Sequence, residues 1–295
     1  MPKLIISADW HLRSISPRCR IDDNWLDFQE STVKEIVKIA NNKKAILCII
    51  GDVFDTPNVP SFITAMFLLN VLKVKMGTRI LAGNHDLPSH SWANISNSSI
   101  GIINSIIVNG HHGLSYINEL GAWCHFNESI KNPDQELQFI HRLVFKNAKD
   151  VPPNVSACSA QDLLDEFPKA KYIFTGDMHR AFIYEKKNRF VINPGCIIRQ
   201  SADMKEIIPS VYYVDTDEDI IEQIFLPDNG EVVIDSYLRE EEERVDRIEA
   251  FVEGVKKNGK VSLDFISNVN VALDKNKKMG KETILTIREL MEDEK

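Results

Sequence analysis

Five short polar clusters in this chain hold the residue types of a divalent-metal centre. They are Asp9-Trp10-His11, Gly51-Asp52-Val53-Phe54-Asp55, Gly83-Asn84-His85-Asp86, the single His141, and Gly176-Asp177-Met178-His179. Imidazole and carboxylate together suit Mn2+, Fe2+ or Zn2+, and no cysteine stands in any cluster to favour a softer metal. Two such ions about 3.5–4 Å apart can clamp both the attacking and the leaving oxygen of an in-line phosphoryl displacement. The pair needs one carboxylate that touches both ions, and Asp52 is the natural candidate.

Each cluster follows an apolar run that reads as a buried strand. The runs are Leu4–Ser7, Ala45–Ile50, Arg79–Ala82, Leu137–Ile140 and Tyr172–Thr175, with a further one at Phe190–Ile192. Amphipathic stretches alternate with them, which predicts an α/β fold. Ligands of open α/β sheets gather at the carboxyl ends of strands, so loops far apart in sequence converge there. Asn24–Ala40 and Pro60–Val74 have helical spacing. Ser159-Ala160-Gln161-Asp162 resembles a capping box opening a short helix through Phe167. Between Ile102 and Phe126 the pattern suggests a hairpin turning at Asn109-Gly110. Tyr212–Val214 and Ile220–Leu226 complete the sheet.

The clusters differ in weight. Asp-x-His alone is weak, and Gly-Asp-x-x-Asp often serves only as a turn and helix cap. Gly-Asn-His-Asp is rarer. The three together, in order and each after a strand, carry the metal-centre reading.

The net charge is −8, which argues against a large basic nucleic-acid surface. Bound cations or a basic partner could supply the missing positive charge. No apolar run is long enough for a membrane span, and the N-terminal one is too short for a signal peptide. The five cysteines are scattered, with no C-x-x-C pair, which points to a reducing cytoplasm. Composition shifts after Pro227-Asp228-Asn229-Gly230. The expected organisation is a main domain over residues 1–230 and a short helical appendage over 231–295. Helices are expected at 236–258 and Lys281–Asp293.

The order D-x-H, G-D-x-x-D, G-N-H-D, H, G-x-x-H resembles the signature of calcineurin-like metallophosphoesterases. The resemblance covers residues 7 to about 200 and implies a sandwich of two mixed β-sheets flanked by helices. It implies two metal sites. The first would take Asp9, His11, Asp52 and His179, the second Asp52, Asn84, His141 and Asp177. His85 would act as general acid near the leaving oxygen, with Asp86 orienting it. One departure is Asp177, where the family has a histidine; a carboxylate there would favour harder ions such as Mn2+ or Mg2+.

The wording Ser7-Ala8-Asp9-Trp10-His11-Leu12, Gly51-Asp52-Val53-Phe54-Asp55-Thr56-Pro57 and Ala82-Gly83-Asn84-His85-Asp86 is similar to SbcD-type nucleases, subunits of DNA double-strand-break-processing complexes. Asn193-Pro194-Gly195 with Arg199-Gln200-Ser201 looks like that family's closing strand and loop. On that likeness the protein would be a Mn2+-dependent DNA exo- and endonuclease. It would form a homodimer and pair with an SMC-like ATPase of the SbcC type. Only a short tail follows the core, so the capping domain would be reduced, as in compact phage-type versions. His90, Arg180 and Arg199 are candidate substrate contacts. His111-His112 reads as a solvated loop and His125 as a half-buried sheet residue. Two other readings stay open: a phosphodiesterase or phosphatase for small nucleotides, and a metal-poor regulatory scaffold.

Overall fold

The first strand, Lys3–Ser7 (β1), alternates its side chains between two apolar layers. Ile5 joins the core beneath the helices α1 (Trp25–Lys43) and α2 (Ser61–Val71), while Leu4 and Ile6 face a second sheet. This double burial recurs in β2 (Ile46–Ile50) and explains why such strands read as continuous apolar runs. The computed structural model describes residues 2–108, 114–116, 123–125, 135–227, 233–235 and 265–275, together with Ile284.

The chain divides into two compact units, Met1–Ile234 and Asp235–Lys295. The first continues with β3 (Thr78–Leu81), α3 (Ser99–Val108), β4 (Leu114–Tyr116), β5 (Trp123–His125), β6 (Leu137–His141), β7 (Val144–Phe145) and β8 (Cys158–Ser159). It ends with α4 (Ala160–Glu166), β9 (Tyr172–Gly176), β10 (Phe182–Lys186), β11 (Arg189–Asn193), β12 (Ser210–Asp215) and β13 (Ile220–Phe225).

Six strands form one sheet in the order β13-β12-β1-β2-β3-β4, and five form the other in the order β10-β11-β9-β6-β5. Both sheets are mixed: β1, β2, β3 and β4 run parallel, as do β5, β6, β9 and β11, while β12, β13 and β10 pair antiparallel. Leu4, Ile6, Cys48, Ile50, Phe139, Tyr172, Phe174 and Ile192 fill the space between the sheets. Each large aliphatic or aromatic side chain buried there stabilises the fold by about 2 kcal/mol. α1 and α2 cover the outer face of the first sheet, and α4 packs on the second with Ile140, Ile173 and Val191. The architecture is the expected α/β sandwich of mixed sheets flanked by helices.

The capping box forms as read: Ser159 accepts from the Asp162 backbone, and the Asp162 carboxylate accepts from Ser159. The hairpin does not. Residues 99–108 are helix α3, because Ile100 and Ile103 are both buried one helical turn apart. Burial at that spacing outweighs the strand preference of an isoleucine-rich run. β4 then pairs with β3 and β5 with β6, in different sheets. Asn109-Gly110, His111-His112 and the helix expected at 236–258 lie outside the described residues. So does the helix expected at Lys281–Asp293, apart from Ile284, which is helical. In the second unit Phe265–Lys275 forms α5, which the sequence reading does not include. Among the described residues no helix is long and apolar enough to cross a membrane.

Candidate metal centre

The loops after β1, β2 and β3 run side by side past the end of the first sheet. Asp9 N donates to Gly51 O at 3.2 Å, His11 N to Asp52 O at 2.9 Å, and Gly51 N to Leu81 O at 3.0 Å. The second sheet is tied in through His141, the last residue of β6, whose Nδ1–H donates to Ile50 O at 2.9 Å. That bond fixes the ring so that Nε2 faces the loops of the first sheet, as an orienting carbonyl does for a metal-bound histidine.

The turns are tight enough to force unusual backbone. Asp9, His11, Asp52 and Asp177 have φ of +51°, +43°, +51° and +77°. Such left-handed conformations cost on the order of 1–3 kcal/mol each and collect at functional sites. The glycines that open the clusters leave room for the ligands. A Cβ on Gly51 would lie 2.1 Å from His141 Nδ1, and one on Gly83 would lie 2.0 Å from Asp52 Oδ1. Gly83→Ala should therefore displace Asp52. The expected loss is about 1–3 kcal/mol of stability, as for other overpacked sites, together with metal affinity. Thermal unfolding and Mn2+ titration of that variant check this; an unshifted midpoint with wild-type affinity would contradict it.

The donors converge in three overlapping sets, each with ligand atoms within 4.8 Å of one another: Asp9, His11 and His179; His11, Asp52 and His85; Asp9, Asp52 and His141. His11 Nε2 and His179 Nε2 face each other at 3.2 Å. His141 Nε2 lies 2.9 Å from Asn84 Oδ1 and 3.2 Å from Asp52 Oδ2. Asp52 Oδ1 accepts the backbone N–H of His85 at 2.9 Å, but Oδ2 is buried with no hydrogen-bond partner. Both oxygens of Asp9, by contrast, accept the Asp177 N–H, at 2.9 and 3.0 Å. A buried carboxylate oxygen without a donor is costly unless a cation satisfies it. Asp52 Oδ2, with His141 on one side and His11 Nε2 3.8 Å away, is that oxygen. The donor set fits divalent ions.

The charges of the site agree with that fit. Among the described residues the only ion pairs of Asp52 are with histidines, and Asp9 has none. Burial raises the Asp9 carboxyl well above its ordinary range, with the charges of Asp52 and Asp177 adding to it. Burial lowers His11 to about 3 and also lowers His179, so both imidazoles are neutral and keep lone pairs for a metal. Burial opposes a charge on His141 too, yet Asp52 above all, then Asp9 and Asp177, hold it up to about 10. Without a metal, the His141 proton is the cation that these carboxylates demand. A protonated imidazole cannot ligate, so metal binding must expel that proton. Metal affinity should therefore rise with pH, by up to about tenfold per unit between roughly pH 6.5 and 8.5. Mn2+ titrations at the two ends of that range test it, and a flat affinity would contradict it.

The structure thus gathers Asp9, His11, Asp52, Asn84, His85, His141 and His179 into one place. Asp177 stands in none of the three donor sets; its backbone pins Asp9, and its charge acts on Asp9, His141 and His179. Two expectations need correction. Asp86 does not orient His85. Its buried carboxylate accepts the backbone N–H groups of Gly83 at 2.8 Å, Phe54 at 2.9 Å and Val53 at 3.1 Å, so it ties the second and third loops together. The ring of His85 is held instead by the carbonyl of Asp55, 2.8 Å from Nδ1. Arg199 offers no face to a substrate: it is 4% exposed and donates to Lys205 O at 2.6 Å. His90 and Arg180 are exposed at the rim, bonded to Asn84 O at 2.9 Å and Asp203 O at 3.0 Å. Sequence reasoning misses the Ile50 carbonyl and the spatial role of Gly51 and Gly83. The recurrence of glycine at the head of three of the five clusters, Gly51, Gly83 and Gly176, is the available signal.

Nothing among curated proteins matches this chain. Similar solved structures include a novel archaeal phosphodiesterase, at 15% identity and TM-score 0.42 over 76% of this chain and 99% of that one. They include TT1561 of Thermus thermophilus, at 10% identity and TM-score 0.48 over 76% and 98%. A variant of Vps29 from Entamoeba histolytica matches at 11% identity and TM-score 0.37 over 76% and 99%. The family model described as calcineurin-like phosphoesterase matches residues 2–181, more than half of the chain. With its mixed sandwich and its strand-end cluster of aspartates and histidines, the chain belongs to the calcineurin-like phosphoesterase family.

Proposed function

We propose that this protein is a two-metal phosphodiesterase that cleaves DNA, with Mn2+, or Mg2+ in its place, at the cluster around Asp52. The buried Asp52 Oδ2, which makes no hydrogen bond and is faced by the imidazoles of His141 and His11, supports the shared-ion arrangement. One ion is assigned to Asp9, His11, Asp52 and His179, the other to Asp52, Asn84 and His141. When bound, such ions supply Lewis acidity and an acidified water at neutral pH. The chain itself supplies the rest. Asp52 and Asp9 provide the negative charge that concentrates the cations. His85 stands at the rim, its Nδ1–H engaged by Asp55 O, so that Nε2 is the atom that exchanges a proton with the leaving oxygen.

The observation that favours a polymer is the open rim: His85 and His90 are exposed, so a long phosphodiester backbone can lie across the centre without threading a cavity. The SbcD-like wording of the first three motifs points the same way. By the same reading the protein works in the cytoplasm as a homodimer beside an SMC-like ATPase of the SbcC type. The net charge of −8 favours a second reading, a phosphodiesterase of small nucleotides, because DNA binding draws its affinity from basic contacts to phosphate. The deciding experiment measures Mn2+-dependent turnover of single-stranded DNA beside that of bis-p-nitrophenyl phosphate. Cleavage of both supports the nuclease. Rapid turnover of the small ester with DNA left intact would establish the second reading.

A further inference from the structure

We propose that Arg13 contacts a phosphate of the DNA next to the one being cleaved, and so sets the preference for a polymeric over a small ester. This rests on the nuclease reading above. Arg13 lies two residues past His11, and its Nη1 donates to Asp55 Oδ1 at 3.1 Å. The main-chain carbonyl of the same Asp55 holds His85 Nδ1 at 2.8 Å. Arg13 thus lies beyond His85, with Asp55 between them, in a continuous line of contacts leading from Asp52. Its backbone is clamped. Gln29 of α1 is 0% exposed and commits both ends of its amide to the Arg13 backbone, accepting from N at 2.9 Å and donating to O at 2.8 Å. Trp25 Nε1 donates to the same carbonyl at 3.1 Å.

The guanidinium this clamp presents is only partly used. Among the described residues Asp55 is its one hydrogen-bond partner, through Nη1, and Nε is buried without a partner. The side chain is 32% exposed, so the remaining donors reach solvent at the rim. A planar fork with spare donors matches phosphate oxygens. In a chain of net charge −8, a fixed cation beside the reaction centre is what an anionic polymer needs to stay bound. A single small ester fills only the reacting position and makes no such contact.

The test compares Arg13→Ala, Arg13→Gln and Arg13→Lys with wild type. kcat/KM is measured with Mn2+ on a single-stranded oligonucleotide and on bis-p-nitrophenyl phosphate. Any loss that acts through Asp55 and His85 falls on both esters and cancels in their ratio. The expected result is a loss about ten- to a hundredfold larger on the oligonucleotide than on the small ester for Ala and Gln, partly restored by Lys. Anisotropy of a labelled oligonucleotide, with Ca2+ in place of Mn2+, should show weaker binding and a shallower salt dependence for the same variants. Equal losses on the two esters, or wild-type values on both, would overturn the assignment and leave the nuclease reading intact. Wild-type protein that turns over the small ester and leaves the oligonucleotide whole would overturn both.

Discussion

Asp52→Asn should reduce phosphodiester cleavage by about a thousandfold or more, the scale on which preorganised transition-state electrostatics are lost. The two Asp52 oxygens have different jobs. Oδ1 accepts the His85 backbone N–H at 2.9 Å, and an asparagine oxygen can still do that. Oδ2 is buried and faced by two imidazoles, His141 Nε2 at 3.2 Å and His11 Nε2 at 3.8 Å. An amide nitrogen at that position brings hydrogens where a negative charge was, and it also takes away the charge that holds the His141 proton. Metal affinity should fall by more than about 100-fold, beyond the loss seen when only a ligand's supporting partner is removed. Mn2+ titration and steady-state kinetics measure both. If Asp9→Asn weakened the binding of both ions more than Asp52→Asn did, the shared ligand would be Asp9 instead.

His85→Ala should separate chemistry from metal binding. The ring stands at the exposed rim, edge-on to His11 with centroids 4.8 Å apart, and is positioned by a backbone carbonyl. Its truncation leaves Asp9, His11, Asp52, Asn84, His141 and His179 in place. Cleavage should drop by about 100- to 10,000-fold, the range of general acid–base catalysis. The Mn2+ content at saturation should not change. His85 also belongs to one of the donor sets, with His11 and Asp52, so the alternative is concrete. Loss of bound metal in the variant would make His85 a ligand and remove it as the proton donor.

The metal centre is readable in the sequence because each ligand cluster sits where a strand must end. Leu137–Ile140 is apolar enough to be a buried strand, so the imidazole that follows it has to emerge at the sheet's edge, and His141 does. What the sequence conceals is direction within a turn. Asp86 adjoins His85, yet the turn folds the carboxylate back on Gly83 N, three residues earlier, as Asp side chains do in turns. Which of two neighbouring residues faces the centre depends on that local bond, not on spacing. Arg199 follows a site-like loop, but the loop returns to the interior and buries it. Strand β10, Phe182–Lys186, escapes a pattern reading because its exposure rises along its length and leaves no clean alternation. Helix α3 reads as strand because isoleucine favours strands locally, and only the packing of Ile100 and Ile103 decides otherwise.

Crystals soaked in Mn2+ and measured at the manganese absorption edge give the most direct test. The expected anomalous map has two peaks that share Asp52 Oδ2, one also touching Asp9, His11 and His179, the other Asn84 and His141. Peaks that leave Asp52 uncoordinated, or that hold it to one ion only, would contradict the shared-carboxylate centre.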